Sequence, residues 1–405
     1  MRALVLVVLL LLTACSRERT REASAAAPSG FKVPAWASSA TVAPSATVAP
    51  RASAAERPIS TPEGALLAGE RTYGVIAGVL SFGQPGVNGW SAEMRKDQEL
   101  YDVLRARGVP AKNVELLLDQ AATKDAILRA LVNVAKRAPA DATLFFYYAG
   151  HGSRDAEGKP YFIAYDQKLA VSSIAESINA HFSGKQLLLM ADCCYSGTLA
   201  SVADAVADAK KIPTVSLTSA EASNLSTVNW TFTQTVIDGL RGDGLMDDDS
   251  DRRVDLGELR ARVASEMKYR EKQRSGFHAR GVSERAVLAT AEPAERGTGP
   301  FAAGSYVLAS WGKSERIAEV RRAGRKQSEV RFYLYNHSED QTLDNAGVGP
   351  LRFRKYPKGA KLKVTWGGKL WDAVVLKTDG EFHYITYPGW PSYWDEWVMS
   401  DRISP

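Results

Sequence analysis

From Arg71 onward, apolar runs alternate with stretches in which apolar positions recur three and four residues apart. A continuous apolar run bounded by turn residues predicts a buried strand, and the three-to-four spacing predicts a helix with one covered face. On that basis Thr72–Leu80 (TYGVIAGVL), Val114–Leu118, Thr143–Ala149 (TLFFYYA), Gln186–Ala191 and Thr214–Ser219 are strands, with Ala286–Thr290 as the candidate last one. Ala92–Arg107, closed by Gly108, is a helix, as is Thr123–Lys136 with Thr123 as its cap. Ser172–Phe182, a segment near Trp230–Leu240 and Leu256–Lys272 complete the helices. Strands alternating with helices predict an α/β fold, a mostly parallel sheet with helices on both faces.

After a polar break at Ala291–Gly304 the pattern changes to short, aromatic-rich strands, and the chain repeats itself at an offset of 55 residues. Gly304, Trp311, Ala318 and Val320 match Gly359, Trp366, Ala373 and Val375. Each copy has a strand ending in Trp-Gly, a second with Ala-x-Val, and a third with tyrosines (Tyr333 and Tyr335; Tyr384 and Tyr387). Two small all-β barrels are expected, over 304–350 and 356–405. They resemble SH3/Tudor-like barrels. The second holds Trp366, Trp371, Tyr384, Tyr387, Trp390, Tyr393, Trp394 and Trp397, more aromatics than one small core needs. Some would then face outward to meet an unknown cationic or peptide ligand, while packing between the barrels would absorb them equally well.

The N-terminus follows neither pattern. Arg2 precedes an apolar run from Ala3 to Leu12, then Thr13-Ala14-Cys15, which has the form of a secretory signal rather than a membrane span. Leu12-Thr13-Ala14-Cys15 resembles a bacterial lipoprotein signal, which implies lipidation of Cys15. Ser16 and Arg17 follow instead of an aspartate, pointing to the outer membrane, with the chain facing the periplasm. The chain is then a protein of the bacterial cell envelope, touching the membrane through its lipid anchor only. Residues 16–66, rich in Ala, Ser and Pro, cannot bury enough surface to fold and read as a tether. A net charge of +5 from 51 basic and 46 acidic residues makes no electrostatic case for nucleic acid as partner. Apart from Cys15 the cysteines are Cys193 and Cys194. An adjacent pair closes no useful loop, so no disulfide framework is expected and their presence needs another reason.

That reason lies in two loops. The strand ending at Ala149 runs into Gly150-His151-Gly152-Ser153, and the strand before Asp192 runs into Asp192-Cys193-Cys194-Tyr195-Ser196-Gly197. In open parallel sheets, ligands bind beyond the carboxyl ends of the strands. His151 and Cys194, 43 residues apart, can therefore meet. An imidazole beside a thiol can generate the nucleophilic thiolate, and glycine-flanked backbone N–H groups at Gly152 and Cys194 can hold an oxyanion.

Tyr148-Ala149-Gly150-His151-Gly152 and Asp192-Cys193-Cys194-Tyr195-Ser196-Gly197 resemble the histidine and cysteine motifs of the caspase/metacaspase superfamily, over residues 67–292. The resemblance implies a cysteine endopeptidase acting on a protein or peptide substrate, with His151 as base. It places the nucleophile at Cys194, with Cys193 as the alternative. Tyr195 departs from the histidine common there in metacaspases. Asp192 stands where metacaspases carry an S1 aspartate selecting Arg or Lys, and Asp97 approximates a second acidic S1 position, its flanking leucines displaced by one. No cofactor is required. Calcium is an option, because Asp247, Asp249, Asp251, Asp255 and Glu258 match EF-hand positions, although Arg252 replaces the glycine of the turn. Lys210-Lys211 is a candidate self-cleavage point or a solvated linker. The alternative function is a catalytically silent caspase-like scaffold working through its barrels.

Overall fold

A computed structural model describes residues 58–92, 95–155, 157–223, 229–334, 338–366, 369–390 and 392–404. The signal-like segment 1–15 with Cys15, residues 16–57 of the expected tether, Tyr335, His337 and the Tyr393 side chain lie outside the described residues. The last part of the expected tether, 58–66, is instead packed on the domain: Ile59 N–H donates to Ala106 O at 2.9 Å, Leu66 N–H to Val287 O at 2.8 Å, and the Leu66 side chain is buried in the core.

The first part of the chain runs β1 (Thr72–Gly78), α1 (Lys96–Ala106), β2 (Val114–Leu118), α2 (Lys124–Arg137), β3 (Thr143–Ala149), β4 (Gly152–Arg154), β5 (Pro160–Ile163), β6 (Lys168–Ala170), α3 (Val171–His181) and β7 (Gln186–Asp192). It continues through α4 (Leu199–Lys210), β8 (Thr214–Thr218), α5 (Thr231–Arg241), β9 (Arg253–Asp255), α6 (Leu256–Tyr269), β10 (Gly276–Arg280) and β11 (Val287–Thr290). Six strands form the central sheet in the order β10-β8-β7-β3-β1-β2. All its pairings are parallel except β8 with β10.

Every residue of β3 is buried, because helices cover both faces of the sheet. Phe145 and Tyr147 join the cluster formed with α1, α5 and α6; Leu144, Phe146 and Tyr148 join the one formed with α2, α3 and α4. Each large side chain buried there contributes about 1.5–3 kcal/mol. The helices start where capping chemistry allows. Thr123 Oγ1 accepts the Ala126 N–H at 3.2 Å at the head of α2. Asp255 and Glu258 form a reciprocal capping box at the head of α6.

Three features depart from the pattern-based reading. The half-exposed, mixed-polarity segment Gly276–Arg280 forms the antiparallel edge strand β10. Strand β11 pairs with β9 in a separate two-stranded ribbon, outside the main sheet. Lys210 ends a regular helix, α4, so the basic pair does not lie in an open linker.

Beyond residue 304 come β12 (Tyr306–Trp311), β13 (Ser314–Ala323), β14 (Gln327–Tyr333), β15 (Ser338–Asp344) and β16 (Val348–Gly349). They are followed by β17 (Lys361–Trp366), β18 (Lys369–Asp379), β19 (Phe382–Thr386), β20 (Glu396–Met399) and β21 (Ile403–Ser404). Each set forms a five-stranded antiparallel sheet, ordered β15-β14-β13-β12-β16 and β20-β19-β18-β17-β21. The repeat is kept to the hydrogen bond: Gly304 N–H donates to Val320 O at 2.7 Å, and Gly359 N–H to Val375 O at 2.8 Å. The matching bulges fall just after Val320 and Val375.

Both sheets dock on the first domain through charged groups. Arg262 of α6 reaches Gly304 O at 2.8 Å and pairs with Glu266 and the fully buried Glu319 of β13. Arg274 pairs with Glu221 and Asp379, each at 2.6 Å, and lies over the Trp397 ring. The second β unit thereby touches the segment that follows β8.

Candidate active site

Parallel strands bring their carboxyl ends to one edge, and the register there is explicit. Gly78 of β1 pairs with Ala149 of β3, and Ala149 with Asp192 of β7, so the three residues form one row across neighbouring strands. His151 and Cys194 each stand two residues beyond that row. The loops touch: a Cβ on Gly152 would overlap the Cys194 carbonyl oxygen and crowd the Cys193 sulfur, so only glycine fits. Gly150 N–H reaches Asp192 O at 3.4 Å, and the Tyr148 hydroxyl lies 3.0 Å from His151 O and 2.8 Å from Ile163 O.

The His151 ring is held by the loop between β1 and α1. It stacks on Phe82 with centroids 5.0 Å apart and tilts against Trp90 at 4.2 Å. Its Nε2 lies 2.8 Å from Asn88 O. A carbonyl can only accept, so Nε2 carries the proton and Nδ1 is left as the basic nitrogen. Burial pushes the imidazole down from 6.5 to about 4, with the Asn88 carbonyl opposing. The base is therefore neutral at physiological pH.

The two cysteines occupy different surroundings. Cys193 points into the apolar cluster on the α2–α4 face, and burial, then the Asp192 charge, push its thiol well above the ordinary range. Such a thiol is a poor nucleophile. Cys194 lies at the turn into Tyr195, which is held in the left-handed conformation at φ +56°. The Cys193 thiol is free.

Asp192 and Asp97 approach the edge from two sides. Tyr147 OH lies 2.6 Å from Thr233 Oγ1, which donates to Asp192 Oδ2 at 2.7 Å, so the tyrosine donates to the threonine in turn. Burial lifts the Asp192 carboxyl from 3.8 to about 7; hydrogen bonds from Thr233 and Ser219 pull it down, and Glu271 adds to the rise. Asp97, fully buried in the first turn of α1, places its carboxylate where a Cβ of Gly78 would be. The fields of both carboxylates reach Tyr147.

Asp97 is not alone. Arg95 Nε and Nη2 grip it at 3.0 and 2.7 Å, Nη2 also reaches Gly78 O at 3.0 Å, and Nη1 bonds Asp119. Arg95, Asn88, Phe82 and Trp90 escaped the sequence reading. The one signal available was an arginine two residues before Asp97.

Of the five EF-hand-like positions, the structure brings Asp247, Asp249 and Glu258 within ligand distance of one another. Asp255 is committed to the helix cap and to Arg285, and Asp251 accepts the Arg253 N–H at 2.9 Å. Arg252 takes the left-handed conformation at φ +65° that glycine supplies in EF-hands. The converging trio consists of oxygen donors suited to a hard cation such as calcium; in this structure Asp249 pairs with Arg285 at 2.7 Å and Glu258 serves the other half of the Asp255 cap.

In the second β unit Trp366, Trp371, Trp390 and Trp394 close a ring of edge-on contacts at 5.4–6.4 Å. Trp397 lies under Arg274 and Lys377. Much of the aromatic surplus is thus consumed internally. Among the described residues no helix is long and apolar enough to cross a membrane.

The described domain is thus an open, mostly parallel sheet covered on both faces, with the histidine and cysteine loops side by side at its carboxyl edge. Residues 94–287 match the family model described as "Caspase domain". A solved structure of a Geobacter sulfurreducens protein aligns over 55% of this chain and 97% of its own, at 16% identity and a TM-score of 0.40. No curated protein matches the chain.

Proposed function

We propose that the caspase-like domain is a cysteine endopeptidase with Cys194 as nucleophile and His151 as base. The observation that carries this reading is the paired row Gly78–Ala149–Asp192, from which both loops depart and meet at Gly152. Nδ1 of His151 takes the Cys194 proton as the sulfur attacks a peptide carbonyl, and backbone N–H groups near Gly152 and Cys194 receive the oxyanion. The imidazolium returns the proton to the leaving amine. Water then attacks the thioester, restoring the thiol and releasing the acid. Asp97 and Asp192 favour Arg or Lys on the amino side of the cut.

The test is hydrolysis of an Arg-linked fluorogenic peptide in the presence of a thiol reductant. Cys194→Ala abolishes it, a loss of about 10³-fold or more for a covalent nucleophile. Cys193→Ala retains it within about threefold. Loss in both variants would reassign the nucleophile. Absence of hydrolysis in the reduced wild type would favour the silent scaffold, a reading to which the deep cover over His151 lends some support.

We also propose an envelope protein held by lipid at Cys15, from the residues that precede it. Cys15→Ser then moves the protein from the membrane to the soluble fraction; unchanged partition removes the anchor.

A further inference from the structure

We propose that Arg95 is a built-in occupant of the acidic specificity pocket: its guanidinium fills the place that a substrate's basic side chain must take. The inference rests on the peptidase reading for its meaning, and on the geometry around Gly78 and Asp97 for its substance. Gly78 ends β1 in the same row as Asp192, two strands away, which places the Asp97 carboxylate about 10 Å from the strand that delivers Cys194. At that spot the chain already holds an arginine–carboxylate fork, with two parallel N–H···O bonds at 3.0 and 2.7 Å. This is the geometry in which carboxylates recognise guanidinium groups from any source. Gly78 O and Asp119 take remaining donors, and the Arg95 side chain is 12% exposed, that of Asp97 0%.

The residue sits immediately before α1, at the end of the loop whose Phe82, Asn88 and Trp90 hold His151. With Arg95 in place, a substrate arginine competes against an intramolecular copy of itself. Its apparent affinity is reduced by the fraction of molecules in which the pocket is vacant. The substrate class follows: a segment with arginine before the cut, whose own guanidinium can reproduce the fork.

The experiment vacates the pocket. In Arg95→Ala, KM for the Arg-linked peptide falls about tenfold or more while kcat is unchanged, as expected when a competing occupant present in over nine-tenths of molecules is removed. Independently of catalysis, ethylguanidine at about 10 mM raises the Tm of Arg95→Ala by roughly 2–4 °C and leaves the wild type unmoved. Asp97→Asn in that background removes the response. Should Arg95→Ala not fold, Arg95→Met/Asp119→Asn keeps the side-chain volume, removes one unpaired carboxylate and preserves Asp97 as acceptor; the same shifts are expected. A ligand-induced Tm rise without any hydrolysis would uphold the pocket and sink the peptidase reading. A folded vacated variant that neither binds ethylguanidine nor lowers KM would show Arg95 to be a structural clamp and overturn the proposal.

Discussion

Asp192→Asn should stabilise this protein above pH 7 while impairing its proposed work. Burial lifts the carboxyl from 3.8 to about 7. Below about pH 3.8 the group is protonated in both folded and unfolded chains and favours neither. Between there and 7 the folded chain holds a proton that the unfolded chain releases, so stability declines as pH rises, and above 7 the buried carboxylate exacts its full cost. At 1.36 kcal/mol per tenfold, that ceiling is about 4 kcal/mol. Asparagine keeps an oxygen for the Thr233 hydroxyl but brings a second N–H to satisfy, which returns about 1 kcal/mol. Urea unfolding at pH 4.5 and pH 8 reads the difference. The variant should match the wild type within about 1 kcal/mol at the lower pH and exceed it by about 2–4 kcal/mol at the higher. The depressed His151 pKa also makes stability pH-dependent, but it acts equally in both proteins and cancels. Preference for Arg over neutral peptides should fall in parallel. An equal difference at both pH values, or a variant weaker at pH 8, would refute the claim that Asp192 is held near its midpoint by burial.

Removing the cover from His151 gives a second handle. Trp90→Ala admits water to a ring now pushed down to about 4, so an NMR titration should show its pKa rising toward 6.5; no movement would mean that Trp90 does not shield it. The sign for stability is opposite to that of Asp192. The wild type loses stability as pH falls from about 6.5 to 4, where the unfolded histidine takes up a proton that the folded one refuses, and the variant loses less. Arg107→Met should cost at least about 3 kcal/mol in urea unfolding, because the guanidinium, 2% exposed, serves the carbonyls of Leu66, Leu67, Leu240 and Leu288 at 2.5–3.0 Å, which would be left without these donors. A change under about 1 kcal/mol would mean that water replaces it.

What could be read from the chain was whatever depends on local periodicity. The strand Thr143–Ala149 and the cap at Thr123 appear where spacing and side-chain chemistry put them, and the offset repeat after residue 304 survives as matched registers and bulges. Positions whose role depends on chain brought from far away could not be read. Arg107 looks like an ordinary basic residue ending a helix, yet two of its partners are 133 and 181 residues distant. Arg95 looks like surface charge before a helix, and Asn88 like a loop residue whose side chain matters; in fact its carbonyl does the orienting. The same division runs through the site. Glycines at the two loop tips mark where backbones approach, so the contact between the two loops at Gly152 could be anticipated. Occupancy could not, because a pocket filled by its own chain differs from an open one only in which cation satisfies the carboxylate. The sequence specifies the carboxylates at the sheet edge, and the folded chain decides whether they are available.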